Sequence, residues 1–366
     1  MSRPLPPLTG PSGKQIARRA GLRYVQRSGA GYARVRRGQA FTYLDTRGRP
    51  AGPTATGRIR GLVLPPAWTD VWICRDPQGH LQATGRDARG RTQYRYHAEW
   101  TRAVAALKFE RMTAFARSLP AMRRRLRRDL SRPGLPRERV VAAVVGLLQH
   151  SLIRVGNDEY ARDNGSFGLT TIRKRHVVRG ATEVSLRFRG KSGVRHEVTV
   201  GPGTLVAVIA ACLKLPGRDL FQYRDATGTV RDVKAADVNA YLAELGGEGC
   251  TAKDFRTWAA TVLMHGELLS LPAAPSRALL SKAALARNVR AALGVVADAL
   301  RNTIAVCRKA YVHPRVIDAY TRGQAGFAAR RGRVRGPALG RASLSALERR
   351  TLDLLENGSV RGGGPA

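Results

Sequence analysis

The spacing of apolar residues changes near His97, and this change constrains the fold more than any other feature. Before it, short runs of apolar and β-branched residues alternate with turn signals such as DTRG at 45–48 and DPQG at 76–79, the pattern of strands joined by turns. After it, apolar residues recur at helical spacing. The sequence therefore predicts an α+β fold, with a small antiparallel β-sheet domain followed by a larger, mainly α-helical domain.

The domain boundaries follow from this change and from the composition of the two ends. Residues 1–20 are rich in Pro, Gly and basic groups and predict a flexible basic arm, and GSVRGGGPA at 358–366 predicts a disordered tail. Between them we predict a sheet domain at 21–98 and a second domain at 99–357. The strands expected in the sheet domain are 22–25, 40–44, 71–74 and 80–84.

The second domain is predicted to combine helices with a three-stranded sheet. Residues 98–130 predict a helix, whose RRRLRR run at 123–128 is interpreted as a solvated face. Pro136 is expected to open a strongly apolar helix that stops near Asn164. Strands are expected at 174–179, 184–189 and 194–200, and helices from 205 to 356. A turn at 225–228 and an Arg-Gly-rich segment at 330–341 interrupt these helices.

The charge of the chain indicates a polyanionic partner. The 366 residues include 64 Lys and Arg against 26 Asp and Glu, a formal net charge of +38. Duplex DNA carries about one charge per 1.7 Å of its axis, and binding it releases counterions. A bias towards Arg and Ala is an alternative origin of the charge, but such a bias need not leave acidic residues this scarce.

Other features exclude some classes of protein. The sequence contains no run of about 18 apolar residues, and its first residues lack the apolar centre of a secretory signal. The cysteines are isolated from one another, so neither a zinc site nor a disulfide framework is indicated; they are Cys74, Cys212, Cys250 and Cys307. We expect no membrane partner and a reducing cytoplasmic location, associated with the nucleoid.

The segment TAKDFRTW at 251–258 is a candidate phosphate clamp. Thr251 and Asp254 form a capping-box pattern at the start of a helix. Lys253 and Arg256 are then three residues apart on one face of its first turns, where free N–H groups and the helix dipole already attract anions. An ordinary charged surface helix is the alternative.

Two further cations stand in distinctive local contexts. Lys191 lies in GKSG at 190–193, a hairpin signal whose tip can enter a groove without obstruction. This segment is not a nucleotide-binding P-loop, because Ser185 occupies the position of the first required glycine. Arg154 follows the apolar helix, where it either pairs with Asp158 or binds an anion.

Tyr311 stands beside Arg308 and Lys309, just before Pro314. A positive field favours the phenolate form of a tyrosine. A single tyrosine is usually a core or surface residue, so its interest depends on the segments that accompany it.

Together these segments resemble the type IB DNA topoisomerases, particularly the compact bacterial and poxvirus enzymes. The resemblance extends from about Leu22 to about Glu356 and keeps the order of the family's motifs. Its strongest stretches are LPPAWTDVWICRDPQGHLQATGRDARGRTQYRYH, IRVGNDEYARDNGSFGLTTIRKRHV, FRGKSGVRHEV, TAKDFRTWAATV and NTIAVCRKAY.

This resemblance implies a reaction and a role for each motif residue. Tyr311 is expected to be the nucleophile that becomes linked to a 3′ phosphate, and Lys191 the general acid. Arg154 and Arg256 match the two catalytic arginines. Asn302, nine residues before Tyr311, falls at a position that is His in many relatives; an amide can donate a hydrogen bond but cannot act as a general acid.

The resemblance also implies a C-shaped clamp around double-stranded DNA, with the domain at 21–98 as a DNA-binding domain and that at 99–357 as the catalytic domain. We expect no cofactor, metal or nucleotide, and a monomer suffices. Phosphate contacts are assigned to the basic segment at 86–91, with a plain basic turn as the alternative. The expected DNA-contacting residues are Tyr94, Tyr96, Gln93, Tyr160, Lys253, Arg86, Arg89 and Arg91.

Two other functions are compatible with parts of the pattern. A tyrosine site-specific recombinase shares an Arg-Lys-Arg-Tyr set, but its usual second-arginine motif is His-x-x-Arg, and here Lys253 stands in place of the His. A non-enzymatic basic DNA-binding protein would explain the charge, but it would not require the ordered set of site residues. His176, His196 and His313 are interpreted as structural or phosphate-adjacent, and His313, which follows Tyr311, is assigned no specific role.

Overall fold

The computed structural model describes residues 11–27, 30–201, 203–271, 281–323 and 342–357. The chain divides into two compact units, Gly10–Glu110 and Arg111–Ala366. Their boundary falls inside helix α3, Ala98–Leu130, later than the predicted boundary after residue 98. The predicted tail at 358–366 and the Arg-Gly-rich segment at 330–341 lie outside the described residues.

The N-terminal unit contains the predicted antiparallel sheet. Its strand order is β2-β1-β3-β4-β5, and every neighbouring pair is antiparallel. Two short helices accompany the sheet. The elements are α1 Gly13–Arg19, β1 Gly31–Arg37, β2 Ala40–Leu44, α2 Pro53–Gly61, β3 Thr69–Cys74, β4 Leu81–Arg86 and β5 Thr92–Tyr96.

Two details of this unit differ from the sequence predictions. The strand expected at 22–25 is wrong, since only an isolated bridge joins Arg23 to Gly79. Part of the arm expected at 1–20 is helical: Ser12 caps α1 through a capping box with Gln15, and Ala17 is buried. The capping box satisfies backbone donors that a flexible segment would leave to water.

The core of the N-terminal unit lies between α2 and the sheet. Ile59 from α2 packs with three sheet residues, Val71, Ile73 and Ala83. Partly buried residues, including Trp68, surround this cluster. Because a sheet with one buried face needs a second layer to cover it, α2 supplies that layer although its sequence is only weakly apolar.

The second unit is mainly helical and carries the three-stranded antiparallel sheet β6-β7-β8. A two-stranded hairpin, β9-β10, holds the predicted turn at 225–228. No helix among the described residues is long and apolar enough to cross a membrane. The elements after α3 are α4 Arg137–Ser151, α5 Asp158–Asn164, β6 Val177–Arg179, β7 Val184–Arg189, β8 Arg195–Val200, α6 Thr204–Leu213, β9 Gln222–Arg224, β10 Val230–Asp232, α7 Ala235–Gly246, α8 Ala252–Ser270, α9 Lys282–Leu300, α10 Ile304–Ala310, α11 Pro314–Thr321 and α12 Ala346–Glu356.

Helix α4 forms the centre of this unit. Residues 140–148 are buried on every side of the helix, which packs against α6, α7 and α8. A helix that is apolar all round is stable only when it is surrounded in this way. The unit therefore has a rigid frame against which the loop after α4 is held.

The single helix predicted from residue 136 to Asn164 is wrong, because the chain breaks between α4 and α5. Leu152 takes the left-handed conformation (φ 55°) and its N–H bonds to the carbonyl of Leu148, which ends α4. Gly156, with φ 112°, continues the break. Arg154 thus lies in an extended loop rather than on a helix.

The hairpin prediction at 190–193 is confirmed. Strands β7 and β8 pair from Val184↔Val200 to Arg189↔Arg195. The N–H of Gly190 donates to the carbonyl of Val194 at 2.7 Å, and Lys191 begins a tight 3-10 turn between them.

The solvated face predicted for 123–128 is wrong for Arg123. Its guanidinium donates to both carboxylate oxygens of Glu348 on α12, at 2.7 and 3.1 Å. The Trp258 ring N–H and the Ser345 backbone N–H donate to the same carboxylate. Burial raises the pKa of Glu348, but these donors lower it by more. This buried pair joins α12 to α3 and α8.

Candidate active site

Tyr311 lies immediately after the short helix α10. Thr303 caps the start of α10 by accepting the Val306 N–H, and the Tyr311 N–H donates to the carbonyl of Cys307 at the other end. The next helix, α11, begins at Pro314, where His313 caps it by accepting the Arg315 N–H. The tyrosine therefore sits in a junction between two helices, fixed by a cap on either side.

The hydroxyl of Thr261 makes hydrogen bonds to the backbone of this junction. Thr261 lies fully buried on α8, and its hydroxyl accepts the His313 N–H at 3.1 Å. The same hydroxyl donates to the Thr257 carbonyl at 2.9 Å and, more weakly, to the Tyr311 carbonyl at 3.3 Å. The backbone around Tyr311 is thus tied to the helix that carries Arg256.

Arg256 is the main partner of Tyr311. Its guanidinium carbon lies 5.4 Å from the centre of the Tyr311 ring and the two side chains are hydrogen-bonded. The side chain is 96% buried, since only 4% of the residue is exposed, and it also donates to the Leu300 carbonyl at 2.9 Å. Its Nε has no partner among the described residues. A buried guanidinium with an unused N–H donor favours the binding of an anion.

The cations around Tyr311 lower the pKa of its hydroxyl. Burial raises the pKa of Tyr311, but the charge and hydrogen bond of Arg256 lower it, and so do the charges of Arg154 and Lys253. The balance places the pKa of Tyr311 below its ordinary value. A phenol of this kind becomes a nucleophile more readily than an isolated tyrosine.

Arg154 and Asn302, which are far apart in sequence, meet in the structure. Arg154 Nη2 donates to Asn302 Oδ1 at 2.9 Å. A guanidinium can only donate, so the amide oxygen must face it and the amide nitrogen must face away. Asn302 Nδ2 is buried and has no partner among the described residues. The alternative pairing of Arg154 with Asp158 is wrong, because Asp158 pairs with Lys234 instead.

The backbone around Arg154 is held by a close contact between two glycines. A Cβ on Gly168 would lie 2.5 Å from the Gly156 Cα and 2.7 Å from the Arg154 carbonyl. The Arg154 carbonyl accepts the Leu169 N–H at 2.9 Å. Only glycine permits this approach, and the approach fixes the direction in which Arg154 leaves the loop.

Lys191 shares a cavity with Arg154. The cavity, hereafter the Arg154 cavity, is lined by Arg154, Phe167, Gly168, Lys191 and His196 among others. The Lys191 side chain is exposed and has no hydrogen-bond or ion-pair partner within the described residues. The structure therefore brings Tyr311, Arg256, Arg154 and Asn302 into one group and places Lys191 beside Arg154.

The predicted basic segment between β4 and β5 is organised around Asp87. Its carboxylate accepts from the backbone of Arg89 and Arg91 and from the side chains of Arg91 and Gln93. The side-chain hydrogen bond and charge of Arg91, with the backbone N–H groups of Arg91 and Arg89, lower the pKa of Asp87 to about 2. Arg86 bonds to the Gly90 carbonyl and reaches Asp70 at 3.4 Å. Asp87 therefore shapes a turn with exposed arginines.

The remaining predicted contact residues differ in their settings. Tyr94 and Tyr96 are exposed and their rings stack at 5.9 Å, within 9° of parallel. Lys253 is exposed in the first turn of α8 and acts on Tyr311 through its charge. Asp254 forms the predicted capping box there, accepting the N–H and the hydroxyl of Thr251 at 2.8 Å. Tyr160 lies on α5, and its side chain is outside the described atoms.

Sequence reasoning did not single out Thr261 as a site residue, and it interpreted His196 only as structural or phosphate-adjacent. Thr261 follows Thr257 by four residues, which places both on one face of α8, but only the fold shows that this face meets the Tyr311 junction. His176 has a structural role, since its ring accepts the Arg173 N–H.

Known proteins match both units of the chain. The family model for the eukaryotic DNA topoisomerase I catalytic core matches residues 99–333. The family model for the bacterial DNA topoisomerase IB N-terminal domain matches residues 40–87. A protein described as DNA topoisomerase 1B, from Acanthamoeba polyphaga mimivirus, is 34% identical over 267 residues, which are 72% of this chain and 79% of that protein.

Proposed function

Because the chain belongs to the type IB DNA topoisomerase family, and so is a DNA topoisomerase, we propose that it relaxes supercoiled duplex DNA through a transient bond between Tyr311 and a 3′ phosphate. One strand is cut, the free 5′ end rotates, and the strand is resealed. The observation that carries this proposal is the group formed by Tyr311, Arg256, Arg154 and Asn302.

The proposed cleavage step uses the tyrosine as the attacking group. The Tyr311 hydroxyl loses its proton to water, its oxygen forms a bond to phosphorus, and the bond from phosphorus to the 5′ oxygen breaks. Arg256 favours the ionised phenol, since it lowers the pKa of Tyr311 through its charge and hydrogen bond. In-line displacement at phosphorus needs this combination of a positioned nucleophile and stabilised charge.

The negative charge that develops on the phosphate needs donors. Arg154 supplies a guanidinium, and Asn302 Nδ2 supplies a neutral N–H that no other described residue accepts. Donors that already face the reacting phosphate act as an oxyanion hole does, because they need no reorganisation during the reaction. These groups take the place that a metal ion has in other phosphoryl transfers, so we propose that no metal is required.

Lys191 is proposed to give a proton to the departing 5′ oxygen. Its position at the tip of the β7–β8 turn, in the Arg154 cavity, allows it to approach the bound strand. Resealing reverses each step: the 5′ hydroxyl attacks phosphorus, returns its proton to Lys191 and releases Tyr311. Since the phosphotyrosine bond conserves the energy of the phosphodiester, no ATP is needed.

Double-stranded DNA is the proposed partner, and one chain suffices. All residues of the group lie on this single chain, which supports the proposal that one copy is enough. The net charge of +38 favours binding to many phosphates, which makes the affinity depend steeply on salt.

The proposal is tested by relaxation of supercoiled plasmid in EDTA without ATP. The parent chain is compared with Tyr311→Phe, which keeps the ring against Arg256 and removes only the hydroxyl. We expect the parent to relax the plasmid and the variant to bind it without relaxing it. Relaxation by both would remove Tyr311 from the reaction, and relaxation by neither would overturn the proposed activity.

A further inference from the structure

His196 lies on β8, next to the turn that carries Lys191. It pairs with Phe188 on β7, and the two rings stack at 5.1 Å, within 7° of parallel. The other edge of the imidazole faces Gly190, where an added Cβ would lie 2.5 Å from His196 Nε2. The ring is therefore fixed between a phenyl face and the start of the turn.

The ring nitrogens of His196 have no hydrogen-bond partner among the described residues, although the ring lines the Arg154 cavity. Two other histidines of the same unit show the usual arrangement. His176 accepts a backbone N–H, and His150 Nε2 lies 3.1 Å from the Thr199 carbonyl. Partly buried polar groups normally find partners, so the nitrogens of His196 are available to something that enters the cavity.

The charges around His196 indicate what kind of ligand would accept a hydrogen bond from its ring. Burial lowers the pKa of His196, and Arg301, Arg154 and Arg256 lower it further, to about 4. The ring is therefore neutral near pH 7, with one nitrogen donating and the other accepting. A cavity that already contains Arg154 and Lys191 favours an anionic ligand, and a neutral N–H can donate to such an anion without adding charge.

We propose that His196 is a further substrate-contacting residue, which donates a hydrogen bond from its ring to a non-bridging oxygen of the phosphodiester bound by Arg154 and Asn302. This inference rests on the proposed function, because that function supplies the phosphodiester. Stacking on Phe188 and the glycine at 190 give the imidazole its orientation. A neutral His196 and the neutral amide of Asn302 then supplement the two guanidinium groups.

The alternative is that His196 only packs against Phe188, and two substitutions separate these roles. His196→Phe keeps a flat ring for stacking but removes both nitrogens. His196→Gln loses the stacking but places an amide donor near the position of Nε2. His150→Phe is the matched control, since it exchanges a ring that faces the same strand from outside the cavity.

The measurement is the single-turnover rate of covalent cleavage of a short duplex, with the affinity for that duplex measured in parallel. We expect His196→Phe to cleave roughly 10- to 100-fold more slowly, with unchanged affinity, and His196→Gln to recover most of the rate. His150→Phe should cleave as the parent does. Parent-like cleavage by His196→Phe, or a slow His196→Gln, would overturn the proposal.

A substrate change tests the contact independently of folding. In a duplex whose scissile phosphate is a methylphosphonate, one of the two non-bridging oxygens is replaced by a methyl group, which gives two diastereomers. We expect the parent and His196→Phe to differ in rate on one diastereomer and to agree on the other, which lacks the contacted oxygen. An equal factor on both diastereomers would show that His196 acts only through packing. If the parent formed no covalent product on the unmodified duplex, the proposed function itself would fail.

Discussion

Asn302 offers the sharpest test of how the site stabilises charge. In Asn302→Asp, a carboxylate oxygen can still accept from Arg154 Nη2, as Asn302 Oδ1 does at 2.9 Å. The other oxygen replaces the Nδ2 group that has no partner among the described residues. The substitution therefore keeps the contact with Arg154, removes the donor and adds a negative charge beside the reacting phosphate.

The size of the effect follows from the lost donor. Removal of one donor from an oxyanion hole slows a reaction by about 10²- to 10³-fold. Repulsion between the new carboxylate and the phosphate adds to this loss, although Arg154 neutralises part of it. We therefore expect Asn302→Asp to cleave at least about 100-fold more slowly than the parent.

The assay is single-turnover cleavage of a duplex at saturating protein, so that weaker binding does not enter the rate. Asn302→His is the matched control, because an imidazole N–H restores a donor at the same position; it should stay within about tenfold of the parent. Cleavage by Asn302→Asp within about threefold of the parent would refute the role of Nδ2 as a donor.

The hairpin lysine, the buried threonine and the ion pair of α12 allow three further tests. Lys191→Ala should slow cleavage by roughly 10²- to 10⁴-fold. A substrate with sulfur in place of the bridging 5′ oxygen should restore most of the rate of this variant, since a thiolate leaves without a proton. Equal slowing on both substrates would exclude the role of Lys191 as general acid. Thr261→Val should slow cleavage about tenfold without changing DNA affinity, because the backbone around Tyr311 loses its hydrogen bonds to the Thr261 hydroxyl. Thr261→Ser keeps a hydroxyl and should cleave as the parent does. Cleavage by Thr261→Val at the parent rate would contradict this role. Arg123→Met should lower the free energy of unfolding by about 3–5 kcal/mol at pH 7, since it leaves the buried Glu348 carboxylate without its cation. The pKa of Glu348 is depressed in the folded state, so the stability from this pair is present above the unfolded pKa and is lost as pH falls through the folded one. The deficit measured by urea denaturation should therefore shrink in acid, and a deficit independent of pH would contradict the ion-pair account.

Local patterns were sufficient where the structure depends on local chemistry. The hairpin at 190–193 and the capping box of Thr251 and Asp254 were predicted from neighbouring residues, and both are confirmed. The break after α4 was not predicted. Val155 and Ile153 continue an apolar pattern, and it is the contact between Gly156 and Gly168 that decides the path of the chain there.

Distant partners explain the other differences. Arg123 looked like part of a solvated basic run, but its carboxylate partner is Glu348, 225 residues later. Arg154 had Asp158 as a near candidate, yet it bonds to Asn302, 148 residues away. The motifs predicted which residues form the site, whereas the orientation of the Asn302 amide and the anchoring by Thr261 depend on the packing of helices.

The central claim, that Tyr311 forms a covalent bond with a 3′ phosphate, is tested most directly by locating that bond. A duplex whose cleaved strand ends a few nucleotides beyond the cut loses the short fragment that carries the free 5′ hydroxyl, and this loss traps the covalent product. Trypsin then releases the peptide at 310–315, AYVHPR, in which Tyr311 carries the only hydroxyl group. We expect mass spectrometry to find this peptide joined to the 3′ end of the cleaved strand. An adduct on another peptide, or a bond to the 5′ end, would contradict the account.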